Sequence, residues 1–78
     1  MPRYFFHIYE RGQALLDSEG IELHSIDAAR EEAIAAAREL MRSDVLSGLD
    51  PDGRRFVVTD EQDVVVFDLP FEQAIARA

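Results

Sequence analysis

Carboxylates and a histidine, side chains that bind metal ions or move protons, are concentrated in the segment DSEGIELHSID, residues 17–27. Oxygen ligands from Asp17, Glu19 and Glu22, with the imidazole of His24, would suit a divalent cation. However, the spacing matches no metal-binding loop, and alternate residues of an extended chain point in opposite directions. We therefore interpret the segment as a turn and a helix start, and we expect neither a metal nor another cofactor.

The other histidine, His7, lies within an aromatic segment, YFFHIY. Catalysis by histidine needs a positioned partner and a pocket, and we expect His7 to be a hydrogen-bonded residue of a sheet or an interface. The chain has no cysteine, which excludes disulfides, thiolate metal sites and a cysteine nucleophile. No serine lies in a nucleophile elbow and no glycine-rich phosphate loop is present. We expect no catalytic residue and a non-enzymatic function.

The chain is acidic, with a net charge of -8 from 16 acidic and 8 basic residues, and every basic residue is arginine. Such a field repels phosphate backbones, so we expect nucleic acid to be an unfavourable partner. Arginines near the aromatic segment (Arg3, Arg11, Arg54 and Arg55) keep a nucleic-acid-linked regulator as the alternative. No apolar run approaches the ~18 residues of a membrane span, and the N-terminus lacks the apolar core of a signal peptide. We expect no membrane association and a cytoplasmic location.

The pattern of the first half predicts a hairpin within a single domain, residues 1–78. Aromatic and branched side chains at residues 3–9 predict a first strand, and Arg-Gly at residues 11–12 is a turn signal. Residues 13–17 predict a short second strand that completes the hairpin. Residues 21–23 are expected to be extended or to continue that strand.

A helix is predicted to follow this hairpin. Gly20 is expected to change the direction of the chain, and Ser25 to cap a helix that begins at Ile26. Asp27 lies in the first turn, where the helix dipole favours a negative charge. We expect Leu23 and Ile26 to anchor this start to the core.

Most apolar residues of the predicted helix fall on one stripe, and many are alanine, which would let the helix lie close to a sheet. The stripe consists of Ile26, Ala29, Ala33, Ile34, Ala37, Leu40 and Met41. We expect the regular helix to end near residues 42–43, because Asp44 would return to the apolar stripe. A last turn over the edge of the core is expected from Val45, Leu46 and Leu49.

The second half of the chain predicts a second hairpin. Asp-Pro-Asp-Gly at residues 50–53 is a strong turn signal. Residues 55–59 predict a third strand, residues 60–63 a polar loop and residues 64–69 a fourth, mostly apolar strand. Residues 71–78 can form a short helix at the end of the chain.

The resulting order is β-β-α-β-β, a two-layer α+β fold in which one long helix covers one face of a four-stranded antiparallel sheet. A strand order of 2-1-3-4 would make every neighbour antiparallel. The second face of the sheet is then left open. Depending on which face of the first strand meets the helix, it carries either Phe5, His7 and Tyr9 or Tyr4, Phe6 and Ile8.

Both faces of the first strand are too apolar to remain in water, so we expect the open face to be covered by another copy of the chain or by another protein. The candidate interaction surface consists of Arg3, Phe5, His7, Tyr9, Arg55 and Val57. The sequence therefore favours a protein-interaction module that forms a homodimer through a sheet face or edge.

Three motifs, MPRYFFH at residues 1–7, D-x-E-G-x-E-L at 17–23 and A-A-R-x-x-A at 28–33, resemble a family of short bacterial proteins that are abundant in rhizobia. The family is classed as a domain of unknown function, and the resemblance covers nearly the whole chain. It implies a small cytoplasmic α+β domain and brings no activity or catalytic residue. The first half is also similar to HicB-type antitoxin domains. In those domains an acid-glycine segment leads into a Ser- or Thr-capped helix with an early alanine, and here Gly20, Ser25 and Ala29 match that pattern. That likeness implies a module that covers a toxin or another partner.

Overall fold

A computed structural model describes residues 1–46 and 53–76, which contain five strands and two helices. In chain order these elements are β1 (Arg3–Glu10), β2 (Gln13–Leu15), β3 (Ile21–Glu22), α1 (Ile26–Leu46), β4 (Arg54–Thr59), β5 (Val65–Pro70) and α2 (Phe71–Ala76). The strands form an antiparallel sheet, and both helices contribute to a core on one of its faces. The predicted α+β class is confirmed.

The strand β1 lies inside the sheet, because it pairs with β4 on one side and with β2 and β3 on the other. The order β2-β1-β4-β5 agrees with the order predicted from the sequence. The predicted four-stranded sheet fits approximately and gains a fifth, two-residue strand, because β2 ends at Leu15 and Ile21–Glu22 pairs separately with Arg3 and Tyr4. One edge of β1 is therefore shared by two short strands, with residues 16–20 between them.

The core lies between the sheet and the helices. Its strand residues come from alternate positions of β1, β4 and β5, and its α1 residues are mainly alanines. The buried set is Tyr4, Phe56, Val58, Phe67 and Leu69 with Ala29, Ala33, Ile34, Ala37, Met41, Phe71 and Ala74, and Phe6 and Ile8 pack against it. Of the two faces of β1 that the sequence left open, the helices therefore cover the one with Tyr4, Phe6 and Ile8.

The start of α1 is the one predicted. The Ser25 hydroxyl accepts the Ala28 backbone N–H at 3.0 Å, which is the usual N-cap geometry. The helix continues to Leu46, so the end predicted at residues 42–43 was wrong. An acidic residue on the apolar stripe lowers helix propensity by only a few tenths of a kcal/mol, which is too little to end a helix. The remaining residue of the predicted last turn, Leu49, lies outside the described residues.

The two residues predicted to anchor α1 behave differently. Leu23 is partly buried and packs against the core, as expected. Ile26 is 44% exposed, so its prediction as a core residue was wrong. Helical side chains lean toward the N-terminus, and at the first helical position this direction leads past the end of the helix.

The helix α2 lies beside α1 over the same sheet face. Its first residue, Phe71, is buried against Phe56 with ring centroids 5.0 Å apart. Arg38 of α1 donates its Nε–H to the Ala74 carbonyl at 3.0 Å, which joins the two helices. Residues 77–78 of the predicted tail helix lie outside the described part of the chain, as does the predicted turn at 50–53 apart from Gly53.

Neither helix in the described residues combines the length and the hydropathy that crossing a membrane would require.

Candidate functional site

The face of the sheet opposite the helices, here called the outer face, carries the residues predicted as an interaction surface. Antiparallel pairing places Phe5 beside Thr59, His7 beside Val57 and Tyr9 beside Arg55. Cross-strand partners share a face, so these side chains form one continuous surface across β1 and β4. The rings of Phe5 and His7 stack with centroids 6.4 Å apart and an interplanar angle of 7°.

His7 is hydrogen-bonded through both ring nitrogens. The backbone N–H of Asp17 donates to Nδ1 at 3.0 Å, and Nε2 lies 3.1 Å from Oγ1 of Thr59. Because a backbone amide can only donate, Nδ1 must be the acceptor and the ring hydrogen must be on Nε2. This neutral tautomer donates its Nε2–H to the Thr59 hydroxyl.

A hydroxyl beside an imidazole is the arrangement of an activated nucleophile, but here the direction of the hydrogen bond is reversed, because the imidazole donates to the hydroxyl. A general base needs a nitrogen lone pair directed at the hydroxyl. In His7 the lone pair on Nδ1 is directed at the Asp17 amide, and the nitrogen that faces Thr59 carries a hydrogen. The imidazole in this state cannot take the proton of Thr59, so the contact positions both side chains without activating the hydroxyl.

The Asp17 carboxylate closes the gap between β2 and β3. Its Oδ2 accepts the N–H of Phe6 at 3.1 Å, and its Oδ1 accepts those of Glu19 and Gly20, each at 3.1 Å. Phe6 lies eleven residues earlier in β1, so a side chain supplies the acceptor that a longer β2 would have supplied from its backbone. This bond explains why β2 stops at Leu15 without leaving a β1 amide unsatisfied.

The carboxylate of Asp17 is held in its charged form. Burial works to raise its pKa, but the three backbone amide donors outweigh burial, so the pKa lies below the usual 3.8. An acceptor with three N–H partners is at its strongest when ionised. Asp17 is therefore a structural anion that depends on its charge.

Gly20 and Arg3 complete this corner of the sheet. Gly20 has a φ of 70°, and an added Cβ would lie 2.9 Å from the Tyr4 carbonyl oxygen and from side-chain atoms of Arg3 and Phe5. Arg3 donates from Nη1 to the Glu19 carbonyl at 2.8 Å. The guanidinium of Arg3, predicted as part of the interaction surface, is thus engaged in closing the loop.

Two more arginines of the nucleic-acid alternative, Arg54 and Arg55, also lie beside carboxylates. Nε of Arg55 is 2.8 Å from Asp68, and Nε of Arg54 is 4.0 Å from Glu10. The Arg54 side chain is also largely buried, with its guanidinium 4.9 Å from the centre of the Phe71 ring. These contacts lower the positive potential that a phosphate backbone would meet at this end of the sheet.

The carboxylates and histidine of residues 17–27 do not converge. The Asp17 carboxylate accepts the N–H of Phe6, and the Glu22 carboxylate lies 3.7 Å from the Arg3 guanidinium. His24, in the segment that precedes α1, is exposed. Among residues 1–46 and 53–76, no group of three or more potential ligands (His, Cys, Asp or Glu) could hold a metal ion.

A family model described as a domain of unknown function, DUF6894, matches residues 3–72, which include the loop anchored by Asp17, the helix cap and all five strands. The chain belongs to the DUF6894 family. No curated protein and no solved structure shows significant similarity to it. The outer face of this DUF6894 domain must therefore be interpreted from its own geometry.

The outer face of the DUF6894 domain contains a shallow depression of about 380 Å³ that adds residues not predicted from the sequence. Leu16 and Val65 line it together with His7, Tyr9 and Val57. Strand alternation was a signal for Leu16, since Ala14 pairs with Tyr9 and Leu16 follows two positions later. The position of Val65 had no such signal, because a register shift near Thr59 changes the alternation of β5.

Proposed function

We propose that this DUF6894 domain is a non-enzymatic protein-interaction module that forms a homodimer through its outer face. The observation that supports the proposal is the apolar surface left uncovered there, with Leu16 70%, Val65 56% and Tyr9 40% exposed. These residues surround His7 and Val57. Charged residues, among them Arg55 and Asp68, lie at the margin. An apolar centre with a polar rim is the usual composition of a protein interface.

The size of the outer face favours a small interface. Four strand positions ~4.8 Å apart and up to ~6 residues long at ~3.3 Å per residue give at most roughly 19 by 20 Å, or about 400 Å² in projection, because β2 has only three residues. Standard interfaces bury ~800 Å² per partner, and smaller ones are typical of weak or transient complexes. We therefore expect a dimer with a dissociation constant in the micromolar range.

The sheet edges favour the face over an edge as the contact. The edge strand β2 has only three residues, Gln13–Leu15. The other edge strand, β5, contains Asp68 and ends in Pro70. Short strands, charges and proline are features that discourage pairing of edges between molecules.

Two neighbouring leucines provide a matched experiment. Leu16 lines the outer face, whereas Leu15 pairs with Ile8 and so lies on the opposite side of β2, and it is similarly exposed at 67%. Burying a leucine contributes ~1.5–3 kcal/mol, and a dimer contains two copies, so L16S should weaken dimerisation by at least about a hundredfold. L15S should leave the dissociation constant within about twofold. Sedimentation equilibrium over a wide concentration range measures both.

A wild-type protein that stays monomeric at every concentration tested would refute self-association. Equal effects of L16S and L15S would refute the outer face as the contact while leaving a dimer in place. Circular dichroism of both variants is the control for folding.

The alternative is a regulator similar to HicB-type antitoxins, or one linked to nucleic acid. It draws on the Gly20 loop and the Ser25-capped helix, which fit the partial likeness described above. A gel shift at low salt with single- and double-stranded nucleic acid tests the nucleic-acid-linked version, and the absence of any retardation would remove that version. The bacterial source and the cytoplasmic location also stay predictions.

A further inference from the structure

The two ends of the outer face along the strands differ in charge: acidic residues predominate at the end where Arg3 also lies, whereas at the other end Arg55 is paired with Asp68. Glu61 and Asp63, both exposed, belong to the turn between β4 and β5, and they border a depression of about 200 Å³ that also contacts Phe5 and His7. Arg55 lies at the other end of β4, beside Tyr9, and Arg11 follows β1 at that same end. The pair Glu61 and Asp63 is called the acidic end, and the pair Arg11 and Arg55 the basic end.

Two copies can stack these faces with their strands aligned in two symmetric orientations, with the two-fold axis in the interface close to the strand direction or close to the perpendicular to it. An axis along the strands places like ends together, with acidic end on acidic end. An axis across the strands reverses the second copy and places its acidic end over the basic end of the first. Like charges at an interface cost far more than they would in water, so charge favours the second orientation.

We propose that the partner on the outer face is a second copy of this chain in the reversed orientation, with the axis passing near His7 and Val57. The inference rests on the proposed function and specifies its geometry. Arg55 of each copy then meets Glu61 and Asp63 of the other, and the aromatic rings of Phe5 and Tyr9 lie across from one another.

Arg55 is suited to this contact although it already has a partner. It meets Asp68 through Nε at 2.8 Å, and the side chains of both residues are nearly half exposed. A guanidinium has five N–H donors, so a second carboxylate can be accommodated beside the first. Exposed ion pairs contribute little by themselves, but in this orientation the partner's Val65 would lie over the Arg55 end of β5 and remove water from this one.

Complementary charge reversals test the orientation. R55E reverses the charge of Arg55 at the basic end, and E61R/D63N reverses the acidic end while keeping a residue that tolerates the positive φ of 64° at position 63. Each variant alone should dimerise at least about tenfold more weakly, because both contacts in its homodimer become repulsive or are lost. An equimolar mixture should return to within about threefold of wild type, since every contact in the mixed dimer is again complementary.

The measurement is sedimentation equilibrium at ~0.1 M salt, where the ~10 Å Debye length screens the overall net charge but not close pairs. R42E and E32R, exposed residues of α1, are the controls for charge reversal away from the outer face. Weakened variants with recovery in the mixture support the reversed dimer.

Variants that dimerise like wild type, or a mixture that does not recover, overturn the orientation, and the proposed function is then still supported by a dimer sensitive to L16S. A monomeric wild type overturns both.

Discussion

The two faces of β1 contain similar residue types but are held in different ways. Tyr4, Phe6 and Ile8 lie under the helices, where their apolar surface is removed from water. On the outer face, the Phe5 and His7 rings stack on each other, and His7 is fixed by hydrogen bonds while much of the surrounding apolar surface stays exposed. Aromatic content therefore does not decide which face becomes the core. The covered face is the one that the alanine-rich side of α1 meets.

The largest loss of stability is expected from F56A, a substitution on the face that the helices cover. Phe56 is buried on the helix face, with ring centroids 6.0 Å from Phe6 and 5.0 Å from Phe71. Its truncation should cost ~3–5 kcal/mol, a large part of the ~4–12 kcal/mol expected for a domain of this length. V57A, one residue later on the half-buried outer face, should cost only about 1 kcal/mol. Urea unfolding followed by circular dichroism measures both, and similar losses would contradict the distinction between the faces.

Glycine substitutions test the corner where the outer face meets the loop of residues 16–20. Gly20 and Gly12 both have positive φ, but an added Cβ meets close neighbours only at Gly20. The strained backbone conformation should lower the free energy of unfolding of both G20A and G12A by ~1–2 kcal/mol. Overpacking should lower that of G20A by a further ~1–3 kcal/mol. Thermal and urea unfolding of the two variants give the difference, and equal stabilities would show that the crowding at Gly20 is relieved by small shifts.

The hydrogen bonds of the Asp17 carboxylate should contribute less to the free energy of unfolding than a core side chain does, but more than an exposed side chain does. In D17N, an amide NH₂ would compete for the position that accepts the Phe6 N–H, and the loss should be ~1–3 kcal/mol at neutral pH. Chemical denaturation measures it, and D27N, which removes an exposed charge in the first turn of α1, is the control.

Because the pKa of Asp17 is lowered by folding, its contribution has a defined pH dependence. The stabilisation is fully present above the unfolded-state value of 3.8 and is lost as the pH falls through the lower folded-state value. The stability difference between wild type and D17N should therefore be constant near neutral pH and shrink below about pH 4. A difference that grows on acidification would contradict the hydrogen-bond assignment.

The smallest loss of stability is expected from substitution of Thr59. T59V removes the acceptor of the His7 Nε2–H and should cost ~0.5–1.5 kcal/mol, whereas T59S keeps the hydroxyl and should retain most of that contribution. Nitrogen NMR of the His7 ring supplies a second measurement. The hydrogen should be found on Nε2 and not on Nδ1 in the wild-type protein at neutral pH. A hydrogen on Nδ1 would contradict the tautomer and restore the possibility of a base directed at Thr59.

Local signals in the sequence predicted most elements. The aromatic alternation predicted β1, and Ser25 predicted the start of α1, because strand alternation and helix capping depend on neighbouring residues. The shared face of Phe5, His7 and Tyr9 follows from the same alternation.

Contacts between distant residues could not be predicted in this way. The role of Asp17 depends on an amide eleven positions earlier, and the tautomer of His7 depends on that loop and on Thr59 of a later strand. The helix end and the exposure of Ile26 were also predicted wrongly, because both depend on how α1 lies on the sheet. Pattern identifies candidate surfaces, and long-range packing decides which of them is covered.

The bond between Asp17 and Phe6 also bears on how this protein avoids aggregation. Between β2 and β3, the edge of β1 is closed by a carboxylate instead of a backbone strand. A negative charge at that gap occupies the one donor that an intruding strand from another molecule would need, and its charge discourages such a strand from approaching. Loss of the Asp17 carboxylate would leave the Phe6 N–H without this acceptor, in the middle of the edge of an apolar, aromatic strand. Variants at this position should therefore be assessed for self-templated assembly during storage as well as for folding.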